Sequence, residues 1–196
     1  MTIVLTGDSI TDAGRDRSDL ASWGSGYAAL IGQALAEERV INTGISGNRV
    51  TDLQRRWDQD VLAHEPAVLS IMIGINDTWR RYDRDDPTST QAYAAGYRDI
   101  VTRALAAGVE RVILVEPFLL PVTDEQWAWR EDLDPKIQAV RRLASDLGTG
   151  YLATDGPLAQ RAATVGAATL AADGVHPTPE GHRFLADLWL AELHAA

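Results

Sequence analysis

The chain contains no cysteine, which excludes disulfides, thiolate catalysis and cysteine-held zinc and is compatible with a reducing compartment. It lacks any apolar run approaching the ~18–20 residues of a membrane helix. It also lacks a basic N-terminal segment followed by an apolar stretch and a cleavage site, because β-rich sequence begins almost at Met1; the expectation is a cytoplasmic protein. Positive charge is scarce, with 18 Lys and Arg against 28 Asp and Glu, a net charge of −10. That balance argues against nucleic acid and anionic membrane as partners, since both demand clustered Lys and Arg. No G-x-G-x-x-G or P-loop pattern follows any apolar run, which disfavours nucleotide binding. Repeats, low-complexity tracts and linkers are missing too. With 196 residues, 45% apolar and 23% charged, the composition predicts one soluble globular domain over 1–196.

What is present is a regular alternation. β-rich runs at Thr2–Thr6, Arg39–Asn42, Val68–Ile73, Arg111–Glu116 and Tyr151–Thr154 are separated by helix-like segments at Gly26–Glu37, Thr51–His64, Thr90–Ala107 and Asp134–Leu147, with a last helix near Pro179–Leu193. Leu53, Trp57 and Val61 recur every four residues, as do Tyr93, Tyr97 and Val101, while Ile137, Val140, Ala144 and Leu147 keep to one face. The run Val68–Ile73 has the continuous hydrophobicity of a strand buried on both faces. Such alternation implies right-handed crossovers and a doubly wound, three-layer α/β fold.

Sites in such sheets gather at the carboxyl ends of the strands. Gly7-Asp8-Ser9 follows the first run, Gly44-Ile45-Ser46-Gly47-Asn48 the second, Gly74-Ile75-Asn76-Asp77 the third and Glu116-Pro117-Phe118 the fourth, with Asp173-Gly174-Val175-His176-Pro177 late in the chain. A serine, an Asp/His pair and backbone donors at one rim are the parts of nucleophilic catalysis: the hydroxyl needs a base, the base an orienting acid, and the nascent oxyanion fixed donors. Gly47 suits a close backbone approach and Asn76 offers a neutral amide N–H, with the Ser9 N–H as a third donor. Asp8 fits a turn-fixing role better than a substrate contact.

Taken together, these blocks resemble those of the SGNH (GDSL) hydrolases, with Ser9, Gly47, Asn76 and His176 at the four hallmark positions. The resemblance implies a flavodoxin-like five-stranded parallel sheet and ester hydrolysis without metal or cofactor. It further implies Ser9 as nucleophile, His176 as base, Asp173 as its orienting partner, and Ser9, Gly47 and Asn76 as the oxyanion hole. The stretches from Gly7 to Arg15, Gly44 to Asn48 and Ile71 to Asp83 are more narrowly similar to a bacterial intracellular branch that includes acetylxylan esterases. The chain departs from that branch by trimming between Arg15 and Trp23 and by small residues, Ala171 and Ala172, before Asp173, which bears on pocket shape. The implied partner is a small acylated carbohydrate, and a homo-oligomer, known in some relatives, is left open.

Simpler roles compete residue by residue. Asp-x-x-His can ligate metal, but neither a helical His pair nor a cysteine accompanies it. His64, His182 and His194 lack catalytic context, and His182 is expected to face outward on the last helix. Asp77 is expected to cap a helix, and Trp57 to sit in the core. Trp79 and Tyr82, in the expected loop Trp79–Asp83, are candidates to line a sugar subsite, with Trp23, Trp127 and Trp129 behind them. Arg80, Arg81 and Arg84 among Asp83, Asp85 and Asp86 read as a solvated, mutually paired surface, with an oligomer contact as the alternative. The rival activities are a lysophospholipase or thioesterase on longer chains and a catalytically idle carbohydrate-binding module.

Overall fold

Each of the five apolar runs enters one parallel sheet in the computed structural model, which describes residues 1–195. β1 (Thr2–Gly7), β2 (Arg39–Asn42), β3 (Val68–Met72), β4 (Arg111–Val115) and β5 (Gly150–Leu152) lie in the order β2-β1-β3-β4-β5. This is the flavodoxin-like order. After β1 come α1 (Ser9–Asp12) and α2 (Tyr27–Ala34), and after β2 comes α3 (Val50–Asp60) with a 3₁₀ turn at Leu62–His64. α4 (Ile75–Arg84) and α5 (Thr90–Ala106) follow β3, and α6 (Asp124–Ala128) and α7 (Arg130–Leu147) follow β4. α8 (Asp155–Val165), α9 (Ala167–Leu170) and α10 (Pro179–His194) complete the chain.

Side chains alternate between two apolar cores. On one face, Val4, Leu69, Ile71, Val112 and Leu114 pack against Leu53 and Trp57 of α3, Tyr97 and Ile100 of α5 and Val140 of α7. On the other, Ile3, Leu5, Val68, Met72, Ile113 and Val115 meet Ile31 of α2, Leu158 of α8 and Leu185 and Trp189 of α10. Some of the polar tips buried with these aromatics find partners: Tyr93 donates to the Ile73 carbonyl at 2.8 Å, and Trp189 Nε1 to Ser70 Oγ at 2.9 Å, whereas the buried indole N–H of Trp57 has none. The chain's only lysine, Lys136, is fully buried and pairs with Asp132 one turn away on α7. Trp57, wholly buried, is a core residue as its spacing predicts.

The expected boundaries shift where side-chain pattern alone is a weak guide. α7 starts at Arg130 rather than Asp134, with Pro135 inside its first turns, where a missing N–H forfeits one ladder bond. β5 is shorter than its apolar run and begins one residue earlier. The short helices α1, α6, α8 and α9 were not expected. Nor was α4: the polar segment expected as a loop is helical through Arg84. β1 is the switch point of the sheet. The chain leaves it toward β2 and returns past it to β3, so the segments after β1 and β3 part and leave a crevice.

His182 corrects a second expectation. It does not face outward: its Nδ1 accepts the backbone N–H of Tyr27, the first residue of α2, at 3.1 Å, and its ring stacks near Tyr27 with centroids 6.5 Å apart. α10 is thereby pinned to the start of α2. Accepting that bond requires an unprotonated nitrogen, and burial, helped by the nearby His176, depresses the His182 pKa from 6.5 to about 4.

Between those two values the unfolded chain binds a proton that the folded chain does not, so the stability owed to His182 is present above 6.5 and drains away as pH falls toward 4. Asp8 and Asp77, whose carboxyls burial pushes to about 7, act with opposite sign, so the test is a difference between two proteins. Asparagine can offer an oxygen near the position of Nδ1 without titrating. From pH 7.5 to pH 5, denaturant unfolding should show the wild type losing about 2 kcal/mol relative to His182→Asn. Parallel curves would contradict the assignment.

Candidate active site

Ser9 is the first residue of α1, directly beyond β1. Asp8, only 1% exposed, caps that turn through Oδ1, which accepts the Ile10 N–H at 3.0 Å. Its carboxyl is thus spent beneath the surface, in the turn-fixing role. The Ser9 N–H, at the head of a helical turn, belongs to the donors without an intrahelical acceptor. Ser9 Oγ lies 2.9 Å from His176 Nε2.

The histidine is held from the other end of the chain. Asp173 Oδ2 is 2.6 Å from His176 Nδ1, and Oδ1 accepts the backbone N–H groups of Val175 (3.0 Å) and His176 (2.7 Å). Burial pushes the Asp173 carboxyl up, but these hydrogen bonds, the His176 ring foremost, outweigh it and hold the pKa below the ordinary value. An ionised carboxylate can only accept, so Nδ1 carries the ring hydrogen and Nε2 is free to accept from Ser9. The loop itself is braced by the segment after β4: Leu120 N–H donates to the Gly174 carbonyl at 2.9 Å and Gln126 Nε2 to the Asp173 carbonyl at 2.6 Å. Gly174 has φ of 83°, and a methyl there would lie 2.6 Å from Gln126 Oε1 and 2.7 Å from the Leu120 carbonyl oxygen. A side chain there would require the loop to shift.

The segment after β2 is anchored at several points by buried charge. Asp12 Oδ2 accepts both Ser46 N–H (2.9 Å) and Ser46 Oγ (2.6 Å) and pairs with Arg17. Burial raises the Asp12 pKa, yet the bonds from Arg17 and Ser46 prevail and leave it lowered. Arg56 reaches from α3 to Asn48 Oδ1 at 2.8 Å, the Thr43 carbonyl at 2.7 Å and the Gly7 carbonyl at 3.2 Å. Gly47 stands exposed at the tip with φ of 82°, a conformation favouring glycine, and a Cβ there would meet nothing within 4 Å. Asn76, 2% exposed in the first turn of α4, donates Nδ2 to the Asn48 carbonyl at 3.1 Å and accepts from Arg80 at Oδ1. Its neighbour Asp77 does not cap its own helix. Asp77 Oδ2 accepts the N–H of Val50, the first residue of α3, at 3.2 Å. Burial raises the Asp77 pKa to about 7 against the pull of that bond and of the Lys136 charge.

Because α4 is a helix, Trp79 and Tyr82 project from a rigid element. The Trp79 ring stands 5.9 Å from the His176 ring and 5.4 Å from Trp129, against which Tyr82 also stacks at 5.4 Å. Trp129 is itself 4% exposed, so it backs the other two rather than offering a face. Trp23 turns elsewhere, its indole N–H bound to the Val40 carbonyl at 2.8 Å, and Trp127 is exposed. Glu116 ties β4 to α8 by accepting the N–H groups of Thr154 and Asp155 at 2.9 and 3.1 Å, outside the site. Asp12, Arg56, Gln126 and Arg80 went unforeseen. Only Arg80 had a usable signal, its i, i+4 spacing from Asn76.

A Ser–His–Asp arrangement at the switch point of a flavodoxin-like sheet is that of an α/β ester hydrolase. Residues 5–184 match the GDSL-like lipase/acylhydrolase family, and the chain belongs to it. The acetylxylan esterase of Geobacillus stearothermophilus is 38% identical over 207 residues, covering 97% of this chain and 93% of the relative. The crystal structure of an acetylxylan esterase from that organism superposes with a TM-score of 0.90 at 36% identity, over 100% of this chain and 94% of that one. Its catalytic mutant with serine replaced by alanine gives 0.90 at 35% identity, over 98% and 94%. Aspartate and histidine replacements of the same esterase are likewise described as catalytic mutants.

Gly174→Ala should move the His176 loop, because the added methyl collides with Gln126 and with backbone. We expect roughly 1–3 kcal/mol lost in stability and a fall in kcat of at least about 10-fold in the folded fraction; denaturation and steady-state kinetics together check it.

Proposed function

We propose that the protein is a serine acetylesterase that removes acetyl groups from carbohydrate, xylo-oligosaccharides being the favoured class. The observation that carries this reading is the unbroken chain from Asp173 Oδ2 through His176 to Ser9 Oγ, at 2.6 and 2.9 Å. Ser9 Oγ attacks the acetyl carbonyl as His176 Nε2 takes its proton, and Asp173 stabilises the imidazolium. Negative charge develops on the carbonyl oxygen, to be met by the N–H groups of Ser9 and Gly47 and by Asn76 Nδ2. The intermediate collapses, the bond to the sugar oxygen breaks, and that oxygen leaves with the proton from His176. His176 then takes a proton from water, the hydroxide attacks the acyl-serine, and acetate departs as the proton returns to Ser9.

The sugar assignment draws on two supports. Relatives at 38 and 36% identity carry the name acetylxylan esterase, and the half-buried Trp79 indole beside His176 offers an aromatic wall of the kind that receives a sugar ring. Tyr82, stacked on Trp129, extends that wall. The half-exposed side chains of Asp173 and His176 (51 and 44%) suit a bulky polar alcohol better than an enclosed acyl channel would.

Ser9→Ala should lower kcat by roughly 10³-fold or more while leaving circular dichroism and Tm unchanged; retained turnover would sink the mechanism. Asn76→Ala should cost about 10²–10³ in kcat with KM little altered. Acetate release from acetylated xylo-oligosaccharides should outpace hydrolysis of long-chain esters; the reverse order would favour a lysophospholipase or thioesterase.

A further inference from the structure

Arg80 reads in the sequence as part of a solvated Arg/Asp surface, but its side chain is only 13% exposed and turns toward the site. α4 sets it one turn beyond Asn76, and its Nη2 donates to Asn76 Oδ1 at 2.9 Å. Asp83 pairs with Nη1 from the far side. The guanidinium carbon lies 5.3 Å from the centre of the Trp79 ring, a cation–π arrangement that fixes the plane of the group. Arg80 therefore touches both the amide nearest the proposed oxyanion and the indole that stands against His176.

We propose that Arg80 is the positioning residue of the oxyanion hole: it locks the Asn76 amide with Oδ1 turned away from the ester and Nδ2 toward it, and it polarises that amide. The inference rests on the reading of Asn76 as an oxyanion donor. A primary amide is nearly symmetric in shape, so a 180° flip exchanges its oxygen and nitrogen with no steric penalty. The flipped form would aim a carbonyl at the developing negative charge and turn a stabilising contact into a repulsive one. Guanidinium has five donors and no acceptor, so only the oxygen of Asn76 can face it. The Asn48 carbonyl takes one Nδ2 hydrogen at 3.1 Å and enforces the same orientation. The second Nδ2 hydrogen is left for substrate. A cation on Oδ1 also draws electron density through the amide, making Nδ2–H a stronger donor where burial limits screening by water.

A purely structural Arg80, stapling α4 through Asp83, would affect stability and not act through Asn76. A double-mutant cycle on 4-nitrophenyl acetate separates the two, using wild type, Asn76→Ala, Arg80→Met and the double variant, with Tm measured on each. The expected result is a fall of about 10-fold in kcat for Arg80→Met with KM within about twofold. In the Asn76→Ala background the same change should alter kcat by less than about twofold, because no amide remains to orient. Arg80→Lys should recover part of the loss by restoring a charged donor. Arg80→Ala and Arg80→Gln are carried alongside, and any one of these variants that folds decides the matter. An unchanged kcat overturns the proposal, as does an equal loss with and without Asn76. Should Asn76→Ala by itself leave kcat intact, the oxyanion reading fails first and the role of Arg80 falls with it.

Discussion

The 2.9 Å contact between Ser9 Oγ and His176 Nε2 joins residues 167 positions apart, and most of the architecture can be traced to keeping it closed. No local preference holds those ends together. The serine rides on the turn after β1, while the histidine rides on the loop before α10. The two halves meet because α2 and α10 share one apolar core beside the sheet, with Tyr27 N–H bound to His182 at the point where they touch. A second brace comes from the connection after β4, where Leu120 and Gln126 hold the backbone of Gly174 and Asp173. In the mechanism proposed above, proton transfer depends on sub-ångström placement, so the packing of two outer helices on a sheet bears on it.

Around this contact the site spends polar groups below the surface. Asp12, Arg56 and Asp77 each bind backbone of the Thr43–Val50 segment from a different element. A neutral hydrogen bond contributes only about 1 kcal/mol net, but stripping one partner from a buried charge costs several times that. Such anchors therefore resist disruption more than they stabilise the fold. The arrangement holds in place a segment whose exposed tip, Gly47, has no side chain of its own to fix it. Asp8 and Asp77, with pKa values pushed to about 7 by burial, show the cost directly: both oppose folding as pH rises through that range.

The parts legible in advance were those whose signal is local or periodic. The runs of β1, β3 and β4 announce themselves by continuous apolar character, since a strand covered on both faces has no polar alternate positions. Leu53, Trp57, Tyr93 and Tyr97 fall on helical faces by spacing, and all are buried. α4 is hard to see because it follows directly on a strand-end block, where loops gather, and three arginines and three aspartates crowd its second half and the residues just beyond it, whereas Ile75, Trp79 and Tyr82 keep helical spacing beneath that charge. Reading it as a loop also hid Arg80, whose relation to Asn76 exists only at one helical turn. His182 was misplaced for a related reason: a polar residue on an amphipathic helix is assigned to solvent unless its partner is known, and that partner, the N–H of Tyr27, is 155 positions away.

By itself the sequence determined the alternating α/β order, the strands, and the residue types gathered at their carboxyl ends, because propensity, periodicity and short motifs act over a few neighbouring positions. It could not determine distances between blocks. That Asp173, His176 and Ser9 form one hydrogen-bonded chain, that Asp77 serves the helix of another crossover and that Trp79 leans on His176 are products of sheet order and helix packing, which sum weak contacts over the whole chain. Tertiary structure also decided which charges face solvent and which are buried against other side chains, since burial and partnership, not residue type, separate Arg80 from the arginine that follows it.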